Sequence, residues 1–108
     1  MACVTHEGKV FVWGDARYGM LGVGEASAMP TDDDGYRYQP VPMEVVGLEG
    51  VVQVSAEWCH MACVTRKGKV FVWGSAENGR LGVGDTRAMP TGDDGDSYQP
   101  VPMEVPGL

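Results

Sequence analysis

The sequence predicts an all-β fold made of two tandem antiparallel sheets of short strands. Three observations predict it: an internal repeat that covers nearly the whole chain, apolar residues at every second position, and frequent turn-forming residues. The 108 residues include 16 glycines and 7 prolines, which divide the chain into short segments. We therefore expect no helix longer than about one turn.

The internal repeat has a spacing of 60 residues. Residues 1–48 align with residues 61–108 without a gap, and 35 of the 48 aligned positions are identical. The apolar positions hardly differ between the copies, whereas the differences fall mostly where turns or solvent are expected. Residues 49–60 occur only once. We therefore assign residues 1–48 to a first, incomplete unit and residues 49–108 to a second, complete unit.

The complete unit is predicted to hold four strands. The first covers residues 51–55, and residues 61–65 and 69–73 form a hairpin across the glycine-containing turn 66–68. The fourth strand covers residues 99–105. The first unit contains equivalents of the last three strands only, so its sheet is expected to lack one strand.

The third strand of each unit is apolar on both faces. Val70 and Val72 point to one side, and Phe71 and Trp73 point to the other. A sheet that is buried on both faces is typical of a propeller blade packed between two other blades. The blade-packing interfaces are therefore predicted at eight side chains: Val10, Phe11, Val12, Trp13, Val70, Phe71, Val72 and Trp73.

Two prolines mark the fourth strand as the outer edge of its blade. Pro100 and Pro102 are two residues apart, so both positions without an N–H group lie on the same edge of the strand. Proline is confined to edge strands because it cannot donate to a neighbouring strand. Pro40 and Pro42 repeat the arrangement in the first unit, and both edges are predicted to be protected against pairing with other chains.

The string GKVFVWGSAENGRLGVGDT, residues 68–86, closely resembles the signature of the regulator-of-chromosome-condensation repeat. Residues 8–25 resemble it too, with Glu25 in place of the final aspartate. Residues 51–65, VVQVSAEWCHMACVT, are similar to the segment that completes the repeat. The resemblance implies blades of a propeller that normally has seven.

The chain also departs from that repeat pattern. Glu57 replaces a glycine and Val64 replaces a leucine, and the connections 28–38 and 88–98 are longer than usual. The resemblance implies that the histidine matched by His60 is structural and bonds to neighbouring backbone. Nothing in the chain matches a separate catalytic loop.

No metal, cofactor or catalytic site is predicted. The carboxylates of residues 32–35 and 93–96 lie near glycines, but the distal glutamate of a calcium-binding EF-hand loop is absent. His60 with Cys59 and Cys63 forms a single cluster, whereas zinc sites need four ligands. The glycines that follow the third strands lack a phosphate-loop signature and are predicted to form turns with positive φ.

Charge and composition exclude two classes of partner. Eight basic and fifteen acidic residues give a formal net charge of −7, which disfavours binding to nucleic acid. No apolar run approaches the roughly 18–20 residues that span a bilayer. Three cysteines without a framework spacing indicate reduced thiols, as expected in the cytosol or nucleus.

Two functional hypotheses of different classes remain open. In the first, the chain is a structural or protein-interaction scaffold that associates with itself, with three or four copies giving a ring of six or eight blades and an open dimer as the main rival. In the second, the family resemblance implies guanine-nucleotide exchange on a small GTPase. The near-identity of the copies also leaves open that the chain is a fragment of a larger propeller or is engineered.

Overall fold

A computed structural model describes residues 1–24, 29–84, 87–92, 95 and 97–107. Within these ranges the chain forms two antiparallel sheets and two single 3₁₀ turns, at Arg17–Gly19 and Glu77–Gly79. The strands are β1 (Ala2–Val4), β2 (Val10–Asp15) and β3 (Tyr38–Glu44) in the first sheet, and β4 (Val51–Ala56), β5 (His60–Thr65), β6 (Val70–Ser75) and β7 (Tyr98–Glu104) in the second.

Both sheets follow the chain order, as β1-β2-β3 and β4-β5-β6-β7. The predicted all-β architecture is therefore confirmed, with three strands in the first blade and four in the second. The strand limits differ from the prediction by one or two residues. β6, for example, continues to Ser75, because Gly74 and Ser75 still pair with Gln99 and Tyr98 of β7.

The proline strands are the outer edges of their sheets, as predicted, and they also carry a bulge. Val12 pairs with Met43 and Gly14 with Gln39, so the residues between the two pairs number one on β2 and three on β3. The second sheet repeats this irregularity between Val72 and Gly74. The residues opposite Trp13 thus include both prolines of β3, which suits residues that cannot donate to a ladder.

The two sheets pack face to face around one hydrophobic core. The shortest extent of the molecule is 19 Å, about the depth of two sheets. The buried core contains residues from both blades and from the segment that links them: Val10, Val12, Ala16, Met20, Leu21, Met29, Val45, Leu48, Val51, Met61, Cys63 and Trp73. Blade-on-blade packing therefore provides most of the apolar burial among the described residues.

A smaller cluster covers the far side of the second blade. Val72 is buried there against Ala76 and Leu81, with Val70 and Val83 partly buried beside them. The outer face of this blade is thus less exposed than its sequence pattern suggests, because the loop that follows β6 folds back over it. On this side of the second blade, the loop after β6 therefore forms most of the surface.

Candidate functional site

The eight predicted blade-packing side chains fall into two kinds of face. We call Val10 and Val12, and their equivalents Val70 and Val72, the valine faces; Phe11 and Trp13, with Phe71 and Trp73, form the aromatic faces. The valine face of the first blade and the aromatic face of the second share the central core. The aromatic face of the first blade and the valine face of the second lie on the outer sides of the pair.

The contact between the blades centres on Trp73. This side chain is fully buried, and its indole N–H donates to the Met20 carbonyl oxygen at 3.0 Å. Residues 16–24, which we call the first glycine loop, supply that carbonyl. Such a bond satisfies the only polar group of a buried indole. The junction between the blades is therefore both apolar and directional.

Two glycines allow the first glycine loop to lie flat on the second blade. A Cβ atom on Gly22 would stand 2.8 Å from the Trp73 ring, and one on Gly19 would stand 2.8 Å from the Pro100 Cα. At its end the loop adds a hydrogen bond from the Gly24 N–H to the Pro100 carbonyl oxygen, 3.0 Å long. The edge of β7 is thus covered by the neighbouring blade.

Among the described residues, nothing comparable lies against the second glycine loop, residues 76–84. A Cβ on Gly79 would meet no atom within 4 Å, and one on Gly82 would meet only the Val105 side chain, at 3.8 Å. Both glycines are exposed, whereas Gly22 is buried. The same loop is therefore covered in the first copy and uncovered in the second.

At their glycines and at Met20 and Arg80, the two loops nevertheless have the same backbone conformation. Gly22 and Gly82 have φ angles of 70° and 68°. Met20, whose carbonyl oxygen is the acceptor in the junction, has φ of −66° and ψ of −14°. Its equivalent Arg80 has φ of −63° and ψ of −21°. At these positions the second loop has the conformation of the first, but among the described residues no blade packs against it. The predicted positive φ angles of the loop glycines are confirmed.

The aromatic face of the first blade is more exposed than the equivalent face of the second blade. Trp13 is half-buried, whereas Trp73 is fully buried. Among the residues that the structure describes, none accepts a hydrogen bond from the Trp13 indole. Met1 on the same face has 69% of its surface exposed, against 2% for its equivalent Met61. This face has the residues of the junction but lacks the neighbour.

Cysteine reactivity provides a test of this difference. Cys3 and Cys63 occupy equivalent strand positions beside Phe11 and Phe71, but Cys3 is exposed and Cys63 is buried. Burial raises the pKa of the Cys63 thiol, outweighing a backbone hydrogen bond at Phe71 that lowers it. Because the thiolate is the reactive form, we expect Cys3 to be alkylated at least about tenfold faster than Cys63 in dilute protein at pH 8.

Peptide mass spectrometry after timed alkylation would measure the two rates. The control is the same reaction in denaturant, where the two cysteines should react alike. Equal rates in the folded chain would contradict the placement of Cys63 in the junction.

A cleft of about 330 Å³ lies at the end of the blades where the glycine loops emerge. Its lining includes Trp58, which follows β4 and is 88% exposed, together with Arg17, Tyr18, Cys59 and Arg80. Arg80 donates to the Cys59 sulfur at 2.8 Å. Exposed tryptophan and arginine side chains are the residue types most often found at the centre of protein interfaces.

An ion pair orders the rim of this cleft. Arg17 Nε donates to Asp15 Oδ2 at 2.8 Å, and the guanidinium stacks over the Tyr36 ring. Burial raises the pKa of Asp15, but the side-chain and backbone hydrogen bonds from Arg17 outweigh it and hold the pKa below the ordinary value. The equivalent residues in the second blade are Ser75 and Glu77, so the two blade ends differ in charge.

Asp32 and His60 differ in how their polar atoms are satisfied. Asp32 Oδ1 accepts hydrogen bonds from the backbone N–H groups of Asp34 and Tyr36, which shapes the acidic loop. His60 has a buried Nδ1 without a hydrogen-bond partner, so the backbone bond implied by the family resemblance is not seen at that atom. Residues 93, 94 and 96 lie outside the described residues.

Within the part of the chain that the structure describes, no group of three or more His, Cys, Asp or Glu side chains is placed so that it could hold a metal ion. No described helix has the length and apolar character needed to cross a bilayer.

The family model for the regulator of chromosome condensation (RCC1) repeat matches residues 7–64 and 67–108. The chain belongs to this repeat family. Its relatives include the ultraviolet-B receptor UVR8 of Arabidopsis thaliana, 35% identical over 77% of this chain, and the human regulator of chromosome condensation, 34% identical over 94%. The chain spans only 17% and 20% of the lengths of these two RCC1-repeat proteins.

The fold agrees with that of a solved RCC1 propeller. The structure of Kap60 bound to yeast RCC1 (Prp20) superposes with a TM-score of 0.78 at 18% identity, covering 96% of this chain and 22% of the solved chain. The two blades therefore correspond to a section of a propeller.

Sequence reasoning identified the apolar faces of the blades but treated their eight residues as equivalent. It did not identify the acceptor at Met20 or the close approach of Gly19 and Gly22. A signal for this was present, since glycines recur at the same loop positions in both copies. The glycines alone predict positive φ angles, but they do not predict that an aromatic ring packs against Gly22.

Proposed function

We propose that this RCC1-repeat chain is an interaction scaffold that associates with itself through the outer faces of its two blades. The supporting observation is the unequal burial of two nearly identical copies. Gly22 and Trp73 are buried in the junction, whereas their equivalents Gly82 and Trp13 are exposed or half-buried. Apolar surface of this kind marks interaction sites in soluble proteins.

A ring of three or four chains follows from the blade count. Each chain contributes two blades, so three chains would give six blades and four would give eight. At roughly 25 cal/mol per Å² of buried apolar area, a few hundred Å² on each face would stabilise the assembly by several kcal/mol. An open dimer is the main rival, since it covers one pair of faces and leaves another pair open.

The loop end supplies the second part of the proposed scaffold. Trp58, Arg17 and Arg80 line the cleft there, and Trp58 has few contacts of its own to explain its position. A cleft lined by an exposed tryptophan and two arginines suits a protein surface with carboxylate and apolar groups. We place a partner-binding role at this end.

The compartment proposed for the chain is a reducing one, the nucleus or the cytoplasm. The free state of all three cysteines is compatible with it.

The expected result for self-association is a mass of three or four chains by light scattering at tens of micromolar protein. The substitution Phe11→Asp, on the outer aromatic face, should reduce the mass to that of one chain with little loss of folded structure. Phe71→Asp is the matched comparison, and it should unfold the chain instead because Phe71 packs against the central core. A monomeric wild-type chain at this concentration would contradict the proposal.

Cys3 provides a second readout of the same association. It lies beside Phe11 on the outer aromatic face, so its alkylation should slow as the protein concentration rises. The rate should stay constant for Phe11→Asp, which keeps the thiol but removes the contact.

Nucleotide exchange is the second candidate function. It is favoured by one relative, the human RCC1-like G exchanging factor-like protein, which is 36% identical over 98% of this chain and of which the chain spans 21%. The test is the rate of fluorescent GDP release from a small GTPase with and without the chain in excess. If GDP release is not accelerated by a high concentration of the chain, nucleotide exchange is contradicted.

A further inference from the structure

The junction inside the chain is a template for a contact between chains. It has a loop side, the first glycine loop with the accepting Met20 carbonyl oxygen, and a face side, the aromatic face with the donating Trp73 indole. Each side occurs twice in the sequence and is used once. The second glycine loop and the Trp13 face are the unused pair.

We propose that the second glycine loop of one copy docks on the Trp13 face of a second copy, so that the chains assemble head to tail. This inference rests on the proposed self-association and specifies its polarity and its contact atoms. The Arg80 carbonyl oxygen accepts from the Trp13 indole of the second copy, as the Met20 carbonyl oxygen accepts from Trp73. Gly82 lies flat on the Trp13 ring, as Gly22 does on Trp73.

The loop side is preformed for this contact. Gly79 and Gly82 have φ angles within 3° of those of Gly19 and Gly22. The long side chain of Arg80 does not lie free on the loop, because its guanidinium donates to the Glu77 carbonyl oxygen and the Cys59 sulfur. The carbonyl group of residue 80 is thus supplied by an ordered turn, which lowers the entropic cost of docking.

The face side is preformed as well. In the junction, Gly19 lies against Tyr98, Gln99 and Pro100 of β7. The equivalent residues 38–40 of the first blade have the same sequence and the same register with β2 as residues 98–100 have with β6. Even the side-chain bond of Gln99 to the Val101 carbonyl oxygen, at 2.9 Å, recurs from Gln39 to Val41 at 3.0 Å. The Trp13 face therefore offers the wall and the indole that the loop requires.

Such a contact is heterologous, since its two sides are different surfaces of the chain. Every copy keeps one free loop and one free face, and rings close when the last loop reaches the first face. An isologous dimer, in which two identical faces meet, would instead involve the same surface on both copies. The two arrangements respond differently to substitution.

Complementation between two variants tests the polarity. Trp13→Ala removes the indole of the aromatic face and leaves the loop intact, whereas Gly82→Ala places a methyl group on the loop and leaves the face intact. We expect each variant alone to be monomeric at a concentration where the wild-type chain is assembled. Mixed one to one, they should form a dimer of one Trp13→Ala chain and one Gly82→Ala chain, and nothing larger.

The controls match each change in kind. Trp58→Ala removes a tryptophan that is 88% exposed outside the proposed contact. Gly95→Ala introduces the same strain of a positive φ, 85°, where a Cβ meets no atom within 4 Å. Both variants should keep the wild-type mass. If Trp13→Ala is poorly folded, Trp13→Phe keeps an aromatic ring without the N–H group, and it should weaken association by roughly 2- to 10-fold.

The outcomes separate this inference from the proposed function. A wild-type chain that stays monomeric overturns the self-association itself. A wild-type chain that assembles while either single variant assembles equally well overturns the head-to-tail contact only. Assembly of the wild type with no heterodimer in the mixture of two folded variants also overturns it. A heterodimer that stops at two chains establishes it.

Discussion

Trp73→Ala is expected to lower the stability of the chain by about 3–5 kcal/mol, as for other buried tryptophans replaced by alanine. The side chain is fully buried between the blades, and its loss also leaves the Met20 carbonyl oxygen without its indole donor. Small domains have total stabilities of about 5–15 kcal/mol, so this one change removes a large share. The melting temperature should fall by about 12–20 °C.

Thermal unfolding followed by circular dichroism measures this effect. Trp13→Ala and Trp58→Ala are the matched controls, because the first is the repeat equivalent and the second is almost fully exposed. At a dilution where the chains are monomeric, both should cost about 1 kcal/mol or less. Similar losses for Trp73→Ala and Trp13→Ala would mean that the two aromatic faces are equally covered, contrary to the structure.

Gly22→Ala is expected to destabilise the junction between the blades from its other side. A left-handed backbone at a residue with a Cβ costs about 1–2 kcal/mol, and the added methyl group would overlap the Trp73 ring, for about 1–3 kcal/mol more. Gly82→Ala carries the same backbone strain, with φ of 68° against 70°, but faces no ring. The difference between the two variants therefore isolates the contact between the blades.

Urea unfolding of dilute wild type and the two variants gives that difference directly. We expect Gly22→Ala to be less stable than Gly82→Ala by about 1–3 kcal/mol. Equal stabilities would show that the first glycine loop can move off Trp73 without cost. Between Gly19 and Gly24 the first loop differs from the second only at Met20, which is Arg80 in the second copy, so local sequence changes little in this comparison.

In both predictions, the equivalent residue in the other copy of the repeat serves as the control. Where the copies are identical in sequence, a difference in burial comes from position in the fold and not from residue type. Val10 is fully buried and Val70 only partly, although each begins the same strand of its blade. The first blade's valine face has a neighbouring blade, and the second blade's has only its own loop.

The sequence alone was sufficient for the strands and their order. Alternation at Val70, Phe71, Val72 and Trp73 follows from the two-residue period of a strand, and this period is local. Pro100 and its equivalents place the fourth strand at an edge because a missing N–H group is a property of one residue. The loop glycines likewise predict positive φ angles, since few other residues adopt them readily.

Only the tertiary structure decided which of the apolar faces meet. The valine and aromatic faces are equally apolar in the sequence, so hydrophobicity gives no preference between the two ways of stacking the blades. The choice depends on shape and on one polar group: Gly22 leaves room for the Trp73 ring, and the Met20 carbonyl oxygen lies where the indole N–H needs an acceptor. These atoms are more than 50 residues apart along the chain, and no local pattern can encode their distance.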